Sequence, residues 1–355
     1  MLVLGIAGKK TSGKSTLAWA LAPWLNAKIA PFASAIKGGQ SYVLGVLAFK
    51  PQMDDEVRES LRNAGMAGRN LREDLWIEVW KANFGNLEAA IVPDVRFENE
   101  VEFIHSLGGK VIYLSLPNAE DDPHPSEQLN PALCDHIITV DPDNRGNTIH
   151  EALNYLAQYY PLVKPKPLIY VGANIYGVGS QKVKDTFTML REILAEGGFI
   201  PYIPVDAAPE AAPEATPEWF YALCYAAKHL DTKTFYQLFK EWVTEESGLP
   251  MTPREVALLA LTGLVDWIVS VDLRLVGEAH ACLFYLKQPS IGCAMEMLAA
   301  ALQEKPIVCM VDEERLTNHP WLLSLATVIT QRNPAKTEQE ALRKIVEYLR
   351  AFFGL

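Results

Sequence analysis

The octapeptide Gly8-Lys9-Lys10-Thr11-Ser12-Gly13-Lys14-Ser15 has the residue types and spacing of a phosphate cradle. Its glycines let backbone N–H groups curl around phosphate oxygens, Lys14 can reach the β- and γ-phosphates, and the Ser15 hydroxyl can hold Mg²⁺. With Thr16 the run Gly8–Thr16 reads as an ATP site, with Ser15 as the metal ligand. A second constellation lies near the other end of the chain. In "KQPSIGCAMEML", Lys287–Leu298, a Pro-Ser step precedes a single carboxylate, Glu296. Ser290 is placed to cap a helix, and the free N–H groups of a helix start favour an anion. Glu296 follows six residues later, or ~9 Å at 1.5 Å per residue. That is close to the span from a nucleotide's 5′-phosphate to its glycosidic carbon. Helical spacing puts Ile291, Met295, Leu298 and Leu302 on an apolar face, and Glu296 with Gly292, Cys293, Ala299 and Ala300 on another. A carboxylate among small residues leaves room for a ligand.

The elements that position these residues alternate. An apolar strand at 2–7 leads into the cradle, and the helical run "STLAWALAPWL" leaves it. Helical patterning returns over 55–84, then come the strand "AAIVPDV", the helix "NEVEFIHSLG", the strands "KVIYLSL" and "HIITV", and the helix "NTIHEALNYLAQYY". "PLVKPKP", 161–167, reads as a linker. The alternation restarts with "LIYVGAN", a helix through "KVKDTFTMLREILAEG" and the strand "FIPYIPV". After an Ala/Pro/Glu-rich stretch and a helical insertion, about 207–262, it closes with "ACLFYL", "CAMEMLAAALQE", "KPIVCMV" and "EQEALRKIVEYLRAFF". Strands alternating with helices imply parallel sheets covered on both faces, here in two domains, 1–162 and 168–355.

Composition narrows the function classes. The chain has 355 residues, long for one domain. A net charge of −11 argues against gripping a nucleic-acid polymer, which takes clustered Lys and Arg, but leaves small anionic substrates open. The five cysteines are odd in number and form no CxxC pair, which fits reduced thiols better than a disulfide frame or a zinc site. "MLVLGIAGKK" has no basic stretch before its apolar run, and no run reaches membrane-spanning length, so a cytoplasmic location and no membrane partner are expected.

Other strings carry resemblances. "RESLRNAGMAGR" (Arg58–Arg69) followed by "DLW", "PDVRFENE" (Pro93–Glu100) and "HPSE" (His124–Glu127) make about residues 1–160 resemble the deoxynucleoside monophosphate kinases of tailed bacteriophages. That resemblance implies a P-loop NTPase-type sheet and MgATP as phosphoryl donor. It places Asp94 and Arg96 at the active centre, with Arg58 and Arg69 gripping the acceptor nucleotide. Physically, Asp94 ends a strand at the carboxyl edge of the sheet, and arginines suit bidentate phosphate capture. The alternative for Arg58, Arg62, Arg69 and Arg72 is the solvated face of an amphipathic helix; for Asn99 and Glu100 it is a helix-start role. Ser34 stands where the family has an acid, and Arg62 and Met66 where Gln and Thr are common, so base selectivity stays open.

"IYVGANIYGVG" (Ile169–Gly179) and Asp272–Val311 resemble the nucleoside 2-deoxyribosyltransferase superfamily, nearest to its 2′-deoxynucleoside 5′-phosphate N-hydrolases. The implied fold is a flavodoxin- or Rossmann-like parallel sheet. Glu296 would be the nucleophile and Asp272 would assist departure of the base. Ser290 and Gly292 would meet the 5′-phosphate, backbone N–H groups of the loop with Ile175, Tyr176 and Gly177 could add to it, and the Tyr176 side chain would lie against the sugar or base. Relatives acting on free nucleosides carry an acid at the Ser290 position, and such an acid would repel a phosphate. For Glu296 the alternative is an ion-paired structural acid, for Asp272 a helix cap. His280 reads as a strand-start residue and Cys293 as a packing residue.

The expectation is therefore a two-domain α/β, bifunctional enzyme of deoxynucleotide metabolism, assembled as a homodimer. It phosphorylates a deoxynucleoside monophosphate with ATP and Mg²⁺, and cleaves or exchanges the N-glycosidic bond of a deoxynucleoside 5′-monophosphate. Two alternatives stay open: a nucleotide-sensing, non-catalytic second domain, or a first domain reduced to a scaffold.

Overall fold

The computed structural model describes the chain except residues 38–54, 118, 120–121, 142–144, 174–179, 205–271, 289, 313 and 332–336. The insertion expected at 207–262 and the loop residues Ile175, Tyr176 and Gly177 lie outside the described residues. Two units result, Met1–Pro167 with Glu347–Leu355, and Leu168–Val346. Each holds a parallel five-stranded sheet with helices between its strands, an α/β architecture. No helix among the described residues is long and apolar enough to cross a membrane.

In the first unit β1 (Leu2–Gly8), β2 (Lys28–Ile29), β3 (Ala89–Val95), β4 (Lys110–Ser115) and β5 (His136–Thr139) follow the order β2-β3-β1-β4-β5. Central β1 pairs in parallel with β3 and β4, and Val3, Leu4, Ile6 and Ala7 are wholly buried. A strand covered on both faces needs such a continuous apolar run. Strand order reverses at β1, so the crevice beyond its carboxyl end is the place where a ligand fits this topology. On one flank, Trp80 meets Phe32 and Phe103 at centroid distances of 6.2 and 5.4 Å. The Trp80 indole N–H donates to Ala30 O at 2.7 Å, which ties the segment after β2 to the core.

The tract 55–84, read from sequence as continuous helical patterning, is two helices, Asp55–Leu71 and Leu75–Phe84. The break lets Trp76 fold back on the first helix. Its indole donates to Gly65 O at 2.9 Å, and its ring lies 2.4 Å from where a Cβ on Gly68 would stand.

In the second unit β6 (Leu168–Ala173), β7 (Ile200–Tyr202), β8 (Ala281–Leu286), β9 (Ile307–Val311) and β10 (Val328–Gln331) follow the order β10-β9-β8-β6-β7. Numbered within the unit this is 2-1-3-4-5, the flavodoxin-like order, with its switch point between β6 and β8. Every residue of β8 is buried. Elements absent from the sequence reading include β2, β10 and the helix Pro320–Leu325. At two, four and six residues they are too short for apolar periodicity to register.

The helix Ile291–Leu302 corrects the expected facing. Cys293, Met297, Ala300 and Ala301 are buried, whereas Met295 and Leu302 are 59% and 44% exposed. The sheet beneath already carries bulky side chains, Tyr170 and Phe284 among them, with ring centroids 5.9 Å apart. A stripe of mostly small residues lets the helix approach such a surface closely, and the large Met and Leu go outward.

Candidate active sites

The cradle of the first unit begins where β1 ends. Gly13 takes φ 90° and ψ 17° at the start of the helix Lys14–Leu25, a left-handed conformation that costs glycine little. Thr11 also has positive φ, 63°. Alternation of such conformations turns successive N–H groups into one concavity. Lys14 is only 8% exposed, and its ammonium donates to Gly8 O at 2.8 Å and Lys9 O at 2.6 Å, with Ser12 Oγ at 3.5 Å. The charge is thereby held inside the loop. Ser15 and Thr16 occupy the next two helix positions, and Ser12 is buried.

Two residues at the end of β3 point to different tasks. Both carboxylate oxygens of Asp94 accept main-chain N–H bonds, from Phe32 at 2.9 Å and Ala33 at 2.8 Å. Asp94 thus fastens the segment that carries Ser34. Arg96 reaches the cradle itself. Its Nη1 donates to Gly8 O at 3.3 Å, Ser126 O at 3.3 Å and Glu127 Oε1 at 2.6 Å. Glu127, buried, also accepts from Lys10 N at 2.8 Å and lies 3.7 Å from Arg62 Nη2. Arg62 is further paired with Asp122. In the sequence the signal for Glu127 is the string "HPSE", which assigns it no task.

The arginines of the helix Asp55–Leu71 divide. Arg69 is nearly buried, ion-paired with Glu100, hydrogen-bonded to Asn99 Oδ1 and Glu73 O at 3.2 Å each, and 3.6 Å over the Phe97 ring. Glu100 in turn accepts from Arg96 N at 2.7 Å and Phe97 N at 3.1 Å, so it does act at a helix start. Burial pushes its carboxyl up to about 7, against the opposing pull of Arg69 and of these N–H groups. Arg72, just past the helix, is exposed and bonds Asp74. Of Arg58 only the helical backbone is described.

In the second unit two of the described candidates, Glu296 and Asp272, come together beside the switch point. Glu296 projects from the helix Ile291–Leu302 over β6. A Cβ on Gly172 would meet Glu296 Oε2 at 2.9 Å and the Phe284 ring at 2.5 Å, so a side chain there would push the carboxylate or the ring aside. Asp272 opens the helical residues 272–278, and burial, then the charge of Glu296, raises its carboxyl to about 8. Tyr170, fully buried, was not singled out from sequence, because a tyrosine within an apolar strand looks like core. Burial, then Glu296 and Asp272, hold its phenol well above the ordinary value. The Tyr170 hydroxyl faces Glu296, and among the described residues Asp272 Oδ1 has no hydrogen-bond partner. Orphaned polar atoms of this kind cost ~1–3 kcal/mol each and mark places where something polar fits.

Ser290 caps the helix as its position implies, accepting from Cys293 N at 3.4 Å, which leaves its own hydrogen to donate elsewhere. Gly292, in the first turn, is exposed, and a Cβ there would sit 3.8 Å from Glu296 Oε1. Cys293 is buried packing. His280 lies before β8 and accepts from Leu168 N at 3.0 Å, a strand-start role. The buried Lys305 ammonium donates to Gly277 O and Ala279 O, both at 2.6 Å, closing the end of the stretch that begins at Asp272.

No family model matches the chain. A stretch of 38 residues is 53% identical to a protein of Acanthamoeba polyphaga mimivirus provisionally named deoxynucleotide monophosphate kinase. The match spans 10% of this chain and 20% of that relative. A shikimate kinase from Bacteroides thetaiotaomicron aligns structurally with 44% of this chain and 98% of its own, at 15% identity and a TM-score of 0.25.

Proposed function

We propose that the first unit transfers the γ-phosphoryl group of MgATP to a deoxynucleoside monophosphate. The observation that carries the reading is the convergence of Lys14 and Arg96 on the Gly8 carbonyl, at the carboxyl end of the central strand. The short stretch of identity to a protein named as a deoxynucleotide monophosphate kinase supports the same acceptor class. Loop N–H groups from Lys9 to Ser15 and the Lys14 ammonium would hold the donor's phosphates, and the Ser15 hydroxyl would face Mg²⁺. An oxygen of the acceptor's monophosphate attacks the γ-phosphorus and ADP leaves. Charge spread over the transferring group is matched by Lys14 and Arg96. Arg58 belongs to the acceptor side, and Arg69, committed to Glu100, holds the helix that carries it. Asp94 holds the segment beneath.

The second unit, on this proposal, cleaves or exchanges the N-glycosidic bond of a deoxynucleoside 5′-monophosphate. Its supporting observation is the pair of acids beside a buried tyrosine hydroxyl at a switch point. The Glu296 carboxylate attacks C1′ while the base departs with a proton from Asp272, which is neutral at pH 7 if its carboxyl titrates near 8. Water or a second base then displaces Glu296, so configuration is retained. The Ser290 hydroxyl and the free N–H groups of the first helical turn receive the 5′-phosphate. One experiment tests both halves. The protein is incubated with each deoxynucleoside monophosphate, with and without MgATP, and diphosphate and free base are measured together. Diphosphate without free base would remove the second activity, and the converse the first.

A further inference from the structure

We infer that Glu127 is a positioning residue for phosphoryl transfer, fixing Arg96, Arg62 and the Lys10 end of the loop in one arrangement. This rests on the phosphotransfer reading of the first unit. The acid sits at the end of a short turn, Pro125–Glu127, that its own sequence makes rigid. Pro125 presets φ, while His124 Nδ1 accepts from Ser126 N at 3.2 Å and lies 2.8 Å from Ser126 Oγ. From that mount the two carboxylate oxygens address different segments. Oε2 takes the Lys10 N–H at 2.8 Å, and Oε1 takes Arg96 at 2.6 Å with Arg62 at 3.7 Å. Arg96 is therefore held from two sides, by Glu127 and by the carbonyls of Gly8 and Ser126.

The chemistry calls for an acid and not merely an acceptor. A neutral oxygen would satisfy the Lys10 N–H equally well. Holding a guanidinium in one orientation is the work of a charged acceptor, whose hydrogen bonds are about twice as strong as neutral ones. Yet a carboxylate beside a phosphate cradle repels the phosphates. Its removal and its catalytic value therefore pull in opposite directions, which makes the role separable by experiment.

The test uses the full chain and Glu127→Gln, which keeps shape and the acceptor for Lys10. Affinity for MgATP is measured by calorimetry, turnover by diphosphate formation, and Arg96 by its ¹⁵N-guanidinium resonances, where hindered rotation gives separate Nη signals. The expected result is unchanged or tighter MgATP binding, kcat lower by roughly 100-fold, as for a misplaced catalytic group, and averaged Arg96 Nη signals. Glu127→Asp should recover part of the turnover. Wild-type turnover in the Gln variant overturns the inference, as does lost turnover with Arg96 rotation still hindered. Weaker MgATP binding with kcat unchanged also overturns it, since Glu127 would then be structural to the loop. If the wild-type protein binds MgATP and phosphorylates nothing, the phosphotransfer reading fails, and the Arg96 resonances alone decide whether Glu127 positions that side chain.

Discussion

Asp272→Asn keeps the shape of the side chain and makes it permanently neutral, which turns the burial of this acid into a measurable quantity. The carboxyl is raised from 3.8 to about 8. At 1.36 kcal/mol per unit, a shift of about four units has an upper limit of ~5–6 kcal/mol. Partial exposure, and a charge shared with Glu296, bring the expected effect down to roughly 1–3 kcal/mol. The sign follows from linkage. The folded protein binds this proton more tightly than the unfolded chain, so the stabilisation is complete below pH ~4 and is lost as pH rises through about 8. The asparagine variant has nothing to lose. Its stability relative to wild type should therefore grow between pH 5 and 8 and level off above, in guanidinium unfolding of the full chain read at unit pH steps. Base release by the wild type should hold to about pH 7 and fall as pH rises through about 8, where the folded acid deprotonates. In the variant it should be low throughout, by about 10²–10⁴-fold, the usual worth of a general acid. A gap that stays constant with pH, or that closes as pH rises, would refute the claim that Asp272 is held neutral beside Glu296.

Lys14→Ala should remove diphosphate formation and leave base release at the wild-type rate, since the two sites share no residue; loss of both in a folded protein would count against independent sites. Glu296→Ala should retain nucleotide binding by calorimetry and lose base release. With a slow 2-fluoro substrate analogue, mass spectrometry of the wild type should find the sugar-phosphate adduct on the peptide containing Glu296, and an adduct elsewhere ends the assignment. Ser290→Asp should weaken use of monophosphates far more than of nucleosides, because two charges near 4 Å interact by ~4 kcal/mol at an effective dielectric of 20; an unchanged preference in competition assays would sink the phosphate role.

Much of this layout was legible because parallel sheets write themselves as apolar runs. "AAIVPDV" and "ACLFYL" are β3 and β8 residue for residue. The cradle was legible because a phosphate site built from backbone needs glycine at fixed intervals, and Gly13 adopts the positive φ that the spacing implied. What escaped was set by tertiary contact. Helical periodicity offers two apolar stripes on Ile291–Leu302, and it cannot tell that Met297, not Met295, faces the sheet. Arg69 reads on a helical wheel as surface, and only the fold brings Glu100 and Phe97 beneath it. Glu127 is one acid in a polar loop until the turn delivers it to Lys10, more than a hundred residues earlier in the chain.

In both units glycine keeps space clear near the carboxyl end of a central strand. At Gly8 an added Cβ would fall 2.5 Å from Leu114 O and 2.8 Å from Ser12 Oγ. At Gly172 it would fall 2.9 Å from Glu296 Oε2. The signs of charge differ for a physical reason. A cradle for phosphates must supply cations and N–H groups, whereas attack at a sugar carbon needs an electron pair and a proton source kept apart by their surroundings. On the proposed reading Asp272 is the proton source, held neutral by burial and by the charge of Glu296. Tyr170, held protonated by burial beside them, has a hydrogen to give. On the proposed reading that hydrogen goes to Glu296, and it favours the carboxylate that attacks over the one that donates.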